Sequence, residues 1–187
     1  MRKKPYETNN VPFARSYWVV TGKLLAGYYP GDTIAIEMEK KLRSLLAVGI
    51  RYTINLMEDA EHNWSGNLFT PYHPYLTQYA QEIGAEIVCT RHPIRDMGVP
   101  AREEMSDILN EIDLAIENNK PVYVHCLGGK GRTGTVVGCF LMRHGIATES
   151  TVLQMVQRLR RDDPESHIPS PQSIAQQQMI MNWIKGE

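Results

Sequence analysis

Two residues in this sequence have types and spacing that could do chemistry together: Cys126 and Arg132, six apart in the stretch 121–145, PVYVHCLGGKGRTGTVVGCFLMRHG. A cysteine is a strong nucleophile only as its thiolate, so it needs a positive field. An arginine offers a planar fork of N–H donors that matches two oxygens of a phosphate. Between the two lie Leu127, Gly128, Gly129, Lys130 and Gly131. Glycines let a backbone turn so that consecutive N–H groups face one centre, and a helix start just beyond adds its own unpaired N–H groups and partial positive charge. Residues 127–132 are therefore the expected phosphate-binding loop, and the same field should favour the thiolate at Cys126. A buried structural cysteine, the usual fate of a free thiol, fits Cys89 and Cys139, which sit in apolar runs. It leaves the three glycines and the arginine beside Cys126 without a reason.

His125, Cys126, five intervening residues, Arg132 and Thr133, with a further glycine at 134, resemble the signature loop of the cysteine-dependent protein tyrosine phosphatase superfamily, in its dual-specificity branch. The order of elements from residue 16 to 184 is also similar to that fold, so the resemblance spans nearly the whole chain. It implies a phosphomonoester hydrolase that works through a cysteinyl-phosphate intermediate, with no metal or other cofactor. Cys126 would attack phosphorus while Arg132 and the N–H groups of residues 127–132 hold the equatorial oxygens. In that family an aspartate on a separate loop protonates the leaving oxygen. The match here is Asp96, thirty residues before Cys126 in the Pro- and Gly-flanked loop 92–100; taken alone, Asp96 reads as a turn or capping acid. Thr133 would hydrogen-bond the cysteine sulfur, serve as a helix N-terminal hydroxyl, or do both. His125 would orient the loop rather than act as a base. The family's late helix often carries a glutamine near the hydrolytic water. The segment SPQSIAQ at 170–176 points to Gln176 for that place, against the alternative of a solvent-facing run through Gln176, Gln177 and Gln178.

Lys130 bears on the substrate. A lysine in this loop resembles the phosphatase and tensin homologue group, which acts on inositol lipids, although that group has a second lysine where this chain has Leu127. A second cation beside the pocket would favour polyanions such as phosphoinositides or inositol phosphates. A lysine pointing outward into solvent would favour none. The expected partner is thus a phosphorylated protein or a small polyanionic phosphate. Two other classes compete. Rhodanese-like and arsenate reductase loops also set cysteine and arginine around an oxyanion, and a non-catalytic module could bind phosphate and stop there. The Gly-Arg-Thr-Gly run and Asp96 argue against the first. The joint presence of nucleophile, fork and acid argues against the second.

Composition sets the outer limits. The chain has 187 residues, 42% apolar and 22% charged, enough for one domain with a real core. Twenty basic and twenty-one acidic residues leave a formal net charge of −1, which argues against a nucleic-acid partner. Three cysteines do not make a disulfide framework, and an odd count with one reactive thiol favours a reducing compartment, by default the cytoplasm. The basic start Met1-Arg2-Lys3-Lys4 runs into polar residues rather than a signal-peptide core, and no run of about 18 apolar residues suggests a membrane span.

The elements that must position these residues read as alternating strands and helices. Strands are predicted at 17–20, 24–27, 52–56, 86–89 and 121–124, the first two as a hairpin across Thr21-Gly22-Lys23. A helix follows 31–33, with Ile34, Met38, Leu42, Leu45 and Leu46 on one face, and shorter ones cover 75–83 and the apolar run 136–142. The stripe Met105, Ile108, Leu109, Ile112 and Ala115 or Ile116 predicts a long helix over 101–117. Thr148 is a cap candidate for a helix with Val152, Met155, Val156 and Leu159 inside and Arg158, Arg160 and Arg161 outside. Ser170-Pro171 reads as the start of the last helix. The segment 57–75 fits no pattern: its acids and histidines lack a convincing metal-ligand spacing, leaving a surface loop or a wall of the active site. The expected fold class is α/β, a central largely parallel sheet flanked by helices on both faces, with an arm over residues 1–15 and one catalytic domain over 16–187.

Overall fold

A computed structural model describes residues 11–63 and 66–187 of the chain. Most of the predicted arm, and Trp64 of the unpatterned segment, lie outside the described residues. Five strands and six helices alternate: β1 (Ser16–Val20), β2 (Leu24–Gly27), α1 (Ala35–Ala47), β3 (Tyr52–Asn55), α2 (His73–Glu82), β4 (Val88–Arg91), α3 (Arg102–Glu117), β5 (Val122–His125), α4 (Arg132–Arg143), α5 (Val152–Leu159) and α6 (Ile174–Met181).

The sheet order is β1-β2-β5-β3-β4, with β1 antiparallel to β2 and every other neighbour parallel. Right-handed crossovers from β2 to β3 and from β3 to β4 run one way along the sheet and put α1 and α2 on one face. The return from β4 to the central β5 puts α3 on the other. In accord with this, α1 packs on α2, while α3, α5 and α6 gather around α4. The parallel register sets Gly27, His125, Asn55 and Arg91 in one row at the carboxyl ends of four strands. Loops leaving that row are where an open parallel sheet places its ligands.

The core follows the sequence stripes. Met38, Leu42, Leu45 and Leu46 of α1 and Met105, Ile108, Leu109, Ile112 and Ala115 of α3 are buried. Helix α4 is buried on every side from Arg132 to Met142, so its apolar residues face no solvent stripe. Full burial of each Val, Leu or Phe there contributes about 1.5–3 kcal/mol, which anchors the loop that α4 terminates. No helix among the described residues is long and apolar enough to cross a membrane.

Several boundaries move, each for a local reason. Ile34 is not on the inner face of α1: it is the exposed residue before the first turn, its N–H taken by the Asp32 carboxylate at 3.1 Å. The fourth strand begins two residues late, at Val88, where the register with Tyr52 starts. Thr148 does not cap α5; its carbonyl accepts from Thr151 and Val152 in a turn before the helix. Arg160, predicted on the outer face, is fully buried, and its guanidinium donates to the Ile168 and Glu165 carbonyls and to Asp163. The last helix starts at Ile174 with Ser173 as its cap, because Ser170 turns instead toward the loop after β5. The end of the predicted arm is integrated: Phe13 packs edge-on against Tyr28 and Tyr123.

Candidate active site

Strand β5 ends at His125, and Cys126 is the next residue, 3% exposed. The loop that follows is held by its carbonyls. The Cys126 carbonyl accepts from His125 Nδ1 at 3.2 Å, Leu127 from the Tyr29 N–H at 3.0 Å, and Gly128 from Arg15 at 3.1 Å. The Lys130 carbonyl accepts from the Ser170 hydroxyl at 2.7 Å, and Gly131 from the Thr135 hydroxyl and N–H, both at 2.9 Å. By contrast, the N–H groups of residues 127–132 donate to no protein acceptor among the described residues. Carbonyls tied outward leave consecutive amides turned the other way, which is the geometry of an anion cradle. Gly129 makes it possible: its φ is +68°, and a Cβ there would lie 2.6 Å from the Gly27 carbonyl carbon.

His125 is fully buried, and its pKa is pushed down to about 3, first by burial and then by Arg91 and Arg132. It is therefore neutral, and its tautomer follows from its partners. Nδ1 faces a carbonyl, which can only accept, so the proton sits on Nδ1; Nε2 then accepts from the Tyr72 hydroxyl at 2.7 Å. The ring thus joins the Cys126 carbonyl to Tyr72, and this outer partner comes from the segment that had no readable pattern. Thr133 is buried, and its hydroxyl bonds the Gly27 carbonyl at 3.5 Å rather than the Cys126 sulfur.

Arg132, the first residue of α4, is 1% exposed. Nη1 donates to the Ile94 carbonyl at 2.9 Å and the Leu56 carbonyl at 3.5 Å. Glu61 meets the same end of the guanidinium with both carboxylate oxygens: Oε1 on Nη1 and Oε2 on Nη2, the latter at 3.1 Å. Asp96 Oδ1 lies 3.1 Å from Nη2, and Nε is buried with no partner. Burial alone would lower the Arg132 pKa, but its bonds to Glu61 and the nearby Cys126 and Asp96 outweigh that and raise it. Glu61 is the residue that the sequence did not offer: nothing in the spacing of 57–75 ties it to position 132.

Asp96 is exposed (68% of its side chain) at the tip of the loop that leaves β4. That loop is fastened at three points: Ile94 N–H to the Leu56 carbonyl at 3.1 Å, the Ile94 carbonyl to Arg132, and the Gly98 carbonyl to Gln176 Nε2 at 3.0 Å. Gln176 is fully buried and faces no solvent, unlike its alternative reading. Its Oε1 accepts from the N–H groups of Gln172 and Ser173, both at 3.1 Å, so it closes a capping box on α6 while strapping down the Asp96 loop. Gln172, exposed, is a second missed neighbour: its Oε1 lies 3.2 Å from where a Cβ on Gly131 would be, and its side-chain amide has no partner among the described residues.

Lys130 does not face the cradle alone. Its ammonium is bonded to Glu165, whose Oε2 also takes Arg15 at 2.8 Å. Among the described residues no group of three His, Cys, Asp or Glu could hold a metal.

A family description, "Polymorphic toxin system, DSP-PTPase phosphatase", matches residues 28–146. The chain belongs to the DSP-PTPase phosphatase family. It is similar to mouse protein tyrosine phosphatase domain-containing protein 1, with 30% identity over 153 residues, 81% of this chain and 19% of that one. It is also similar to pig cyclin-dependent kinase inhibitor 3, 33% identical over 76 residues. The chain spans 19% and 31% of the lengths of these two relatives. Among solved structures, kinase-associated phosphatase superposes with a TM-score of 0.65 at 21% identity, over 90% of this chain and 91% of that one. The core catalytic domain of the PP-IP phosphatase SIW14 from S. cerevisiae superposes with 0.63 at 16% identity, over 92% and 87%. These likenesses establish the fold as that of the tyrosine and dual-specificity phosphatases, a mostly parallel five-stranded sheet with helices on both faces.

Proposed function

We propose that this chain is a cysteine-dependent phosphomonoester hydrolase. The observation that carries the reading is the loop 127–132, its carbonyls bonded outward and its amides unpaired around Cys126. A phosphate monoester held by those amides and by Arg132 would present phosphorus to Cys126. The thiolate forms the S–P bond as the P–O bond to the leaving group breaks, and the Asp96 carboxylic acid gives its proton to the departing oxygen. Water then attacks phosphorus, the Asp96 carboxylate takes its proton, and the S–P bond breaks to return the thiolate and release inorganic phosphate.

His125 serves as a fixed neutral strut and Thr133 as part of the loop's frame. Gln176 holds the Asp96 loop to α6; its carbonyl oxygen is committed to two amides. Gln172, with an unpaired amide against Gly131, is the better placed of the two to orient the hydrolytic water. The Lys130–Glu165 pair supports a simple phosphomonoester, such as a phosphorylated protein side chain, over a polyanionic inositol phosphate. A reducing compartment such as the cytoplasm suits the three free cysteines.

Cys126→Ser tests the reading. The variant should lose all measurable turnover of p-nitrophenyl phosphate and still bind tungstate, because the amides and Arg132 remain. Mass spectrometry after rapid quench should find a phosphoryl group on Cys126 in Asp96→Asn and none in Cys126→Ser. Turnover by Cys126→Ser would reject the mechanism.

A further inference from the structure

We propose that the groove between α5 and α6 is a docking site for an acidic segment of a protein substrate, beside the phosphate monoester that the loop 127–132 would hold. The proposal deepens the reading above and rests on it for the reaction, though not for the binding of the segment.

The groove has a volume of about 660 Å³, and its lining carries two arginines, Arg158 and Arg161, and no carboxylate. The two lie three residues apart, at the end of α5 and just beyond it, and both are exposed. The Arg158 guanidinium has no partner among the described residues, and Arg161 meets only the exposed Asp162, at 3.5 Å. The other nearby carboxylates, Asp163 and Glu165, are taken by Arg15, Lys130 and Arg160, so they do not neutralise this pair. Two cations in a recess suit carboxylates spaced along an extended chain. Leu153, Pro169 and Pro171 give the groove its apolar surface, and the unpaired amide of Gln154 offers both a donor and an acceptor to a peptide main chain. A membrane surface asks for a broader cluster, about four to eight basic residues. Two in a recess, on a chain of net charge −1, do not make one.

The walls are fastened before any partner arrives. Gln157 uses both ends of its amide: Nε2 donates to the Ser166 carbonyl, and Oε1 accepts from the Ser170 N–H at 3.1 Å. Behind them the buried Arg160 donates to the Ile168 carbonyl at 3.1 Å and the Glu165 carbonyl at 3.3 Å. From α6, Gln177 Nε2 donates to the Pro171 carbonyl at 3.3 Å. Docking therefore costs little ordering of the groove itself. One end of the groove also reaches the candidate active site. Ser170 lines it, and the Ser170 hydroxyl holds the Lys130 carbonyl at 2.7 Å. A chain whose phosphorylated residue lay over Cys126 would thus meet Arg158 and Arg161 as it ran out past Ser170 and along α5.

The test compares the parent protein with the double variant R158E/R161E on phosphotyrosine peptides that carry a run of glutamates, glutamines or lysines before or after the phosphorylated residue. The parent should turn over one of the glutamate peptides with kcat/KM about 3- to 10-fold above its glutamine twin, the scale of two exposed charge pairs, and added salt should shrink the advantage. In R158E/R161E the advantage should vanish and the matching lysine peptide should gain instead, a new preference that a damaged fold would not create. Equal turnover of glutamate and glutamine peptides by the parent would overturn the proposal. So would a glutamate preference that survives in the variant, since the acidic segment would then lie elsewhere. An unphosphorylated, fluorescein-labelled glutamate peptide is titrated as well and read by anisotropy. Binding to the parent that R158E/R161E loses would uphold the groove even if no phosphopeptide were turned over, and the hydrolase reading would then fail alone. Cosedimentation of the parent, but not the variant, with phosphatidylserine vesicles, with no preference among peptides, would make this face a membrane contact and overturn the proposal.

Discussion

The loop 127–132 has two flanks, and each pairs cations with carboxylates. On one, Arg132 meets Glu61 and Asp96; on the other, Lys130 and Arg15 meet Glu165. The difference lies in what each pairing leaves over. Arg132 is buried at the helix start, and its carboxylate partners leave its Nε unpaired. Lys130 has a compact ammonium on a flexible stem, and its charge is drawn outward to Glu165. The second flank is a clamp: Arg15 reaches the Gly128 carbonyl and Glu165 gathers Arg15 and Lys130, with Asp163 and Arg160 behind them. The two cations of the same short loop are thus placed differently: Arg132 keeps an unpaired buried donor, and the Lys130 ammonium is paired with Glu165.

The largest expected effect breaks the comparison on its first flank. Arg132→Lys keeps a positive charge but cannot span two oxygens, and it leaves Glu61 and two carbonyls with a single point donor. We expect kcat/KM with p-nitrophenyl phosphate to fall by about 100- to 1,000-fold, the scale of losing an oxyanion donor. A loss of only a few-fold would show that charge near the loop is enough and that the fork is not used.

Asp96→Asn comes next and sharpens the same flank. The contact with Nη2 is at an exposed tip, so its loss should leave tungstate affinity close to the parent value. Turnover should fall by about 100-fold or more for a phenyl or alkyl phosphate, whose oxygen needs the proton, and far less for p-nitrophenyl phosphate. Equal losses on both substrates, read from steady-state kinetics, would move the acid elsewhere.

How much of this could be read from the sequence depends on how local the cause was. Strand, glycine-rich turn and helix start around Cys126 are adjacent in the chain, and their chemistry follows from residue type. The stripes of α1 and α3 are local too, and so the sheet and its helices were legible. Glu61 and Tyr72 were not. They act on residues 71 and 53 positions away, across a segment with neither a period of two nor one of 3.6. Their partners are chosen by the register that sets Asn55 beside His125, which no single stretch of sequence shows. Arg160 was not legible for a related reason: it looks like a surface residue by type, and it is buried because the Ile168 and Glu165 carbonyls of the irregular segment after α5 need a donor. The solvent-facing alternative for Gln176 fails in the same way, since Gln176 is buried against the Gly98 carbonyl of a distant loop. Polar side chains that satisfy irregular backbone carry no periodic signal.

The smallest effect tests the second flank, and its mark on stability depends on pH. If Lys130 is part of the clamp, Lys130→Leu should change kcat/KM for a monophosphate and for a bisphosphate alike, by no more than about twofold, as expected for one partly exposed ion pair. A selective loss on the bisphosphate would show that the ammonium leaves Glu165 for the substrate, and the two flanks would then be alike. Stability carries the clearer mark. The Lys130 ammonium holds the Glu165 carboxyl below its usual range, against a smaller opposing effect of burial. A carboxyl whose pKa is lower folded than unfolded stabilises the fold above the unfolded value, and that contribution is lost as the pH falls through the folded one. The parent protein should therefore melt above Lys130→Leu at neutral pH, and the gap should close on acidification through the carboxylate range. A gap that persisted in acid would trace to packing of the lysine stem against Gly128, 3.1 Å from where a Cβ would be, rather than to the ion pair.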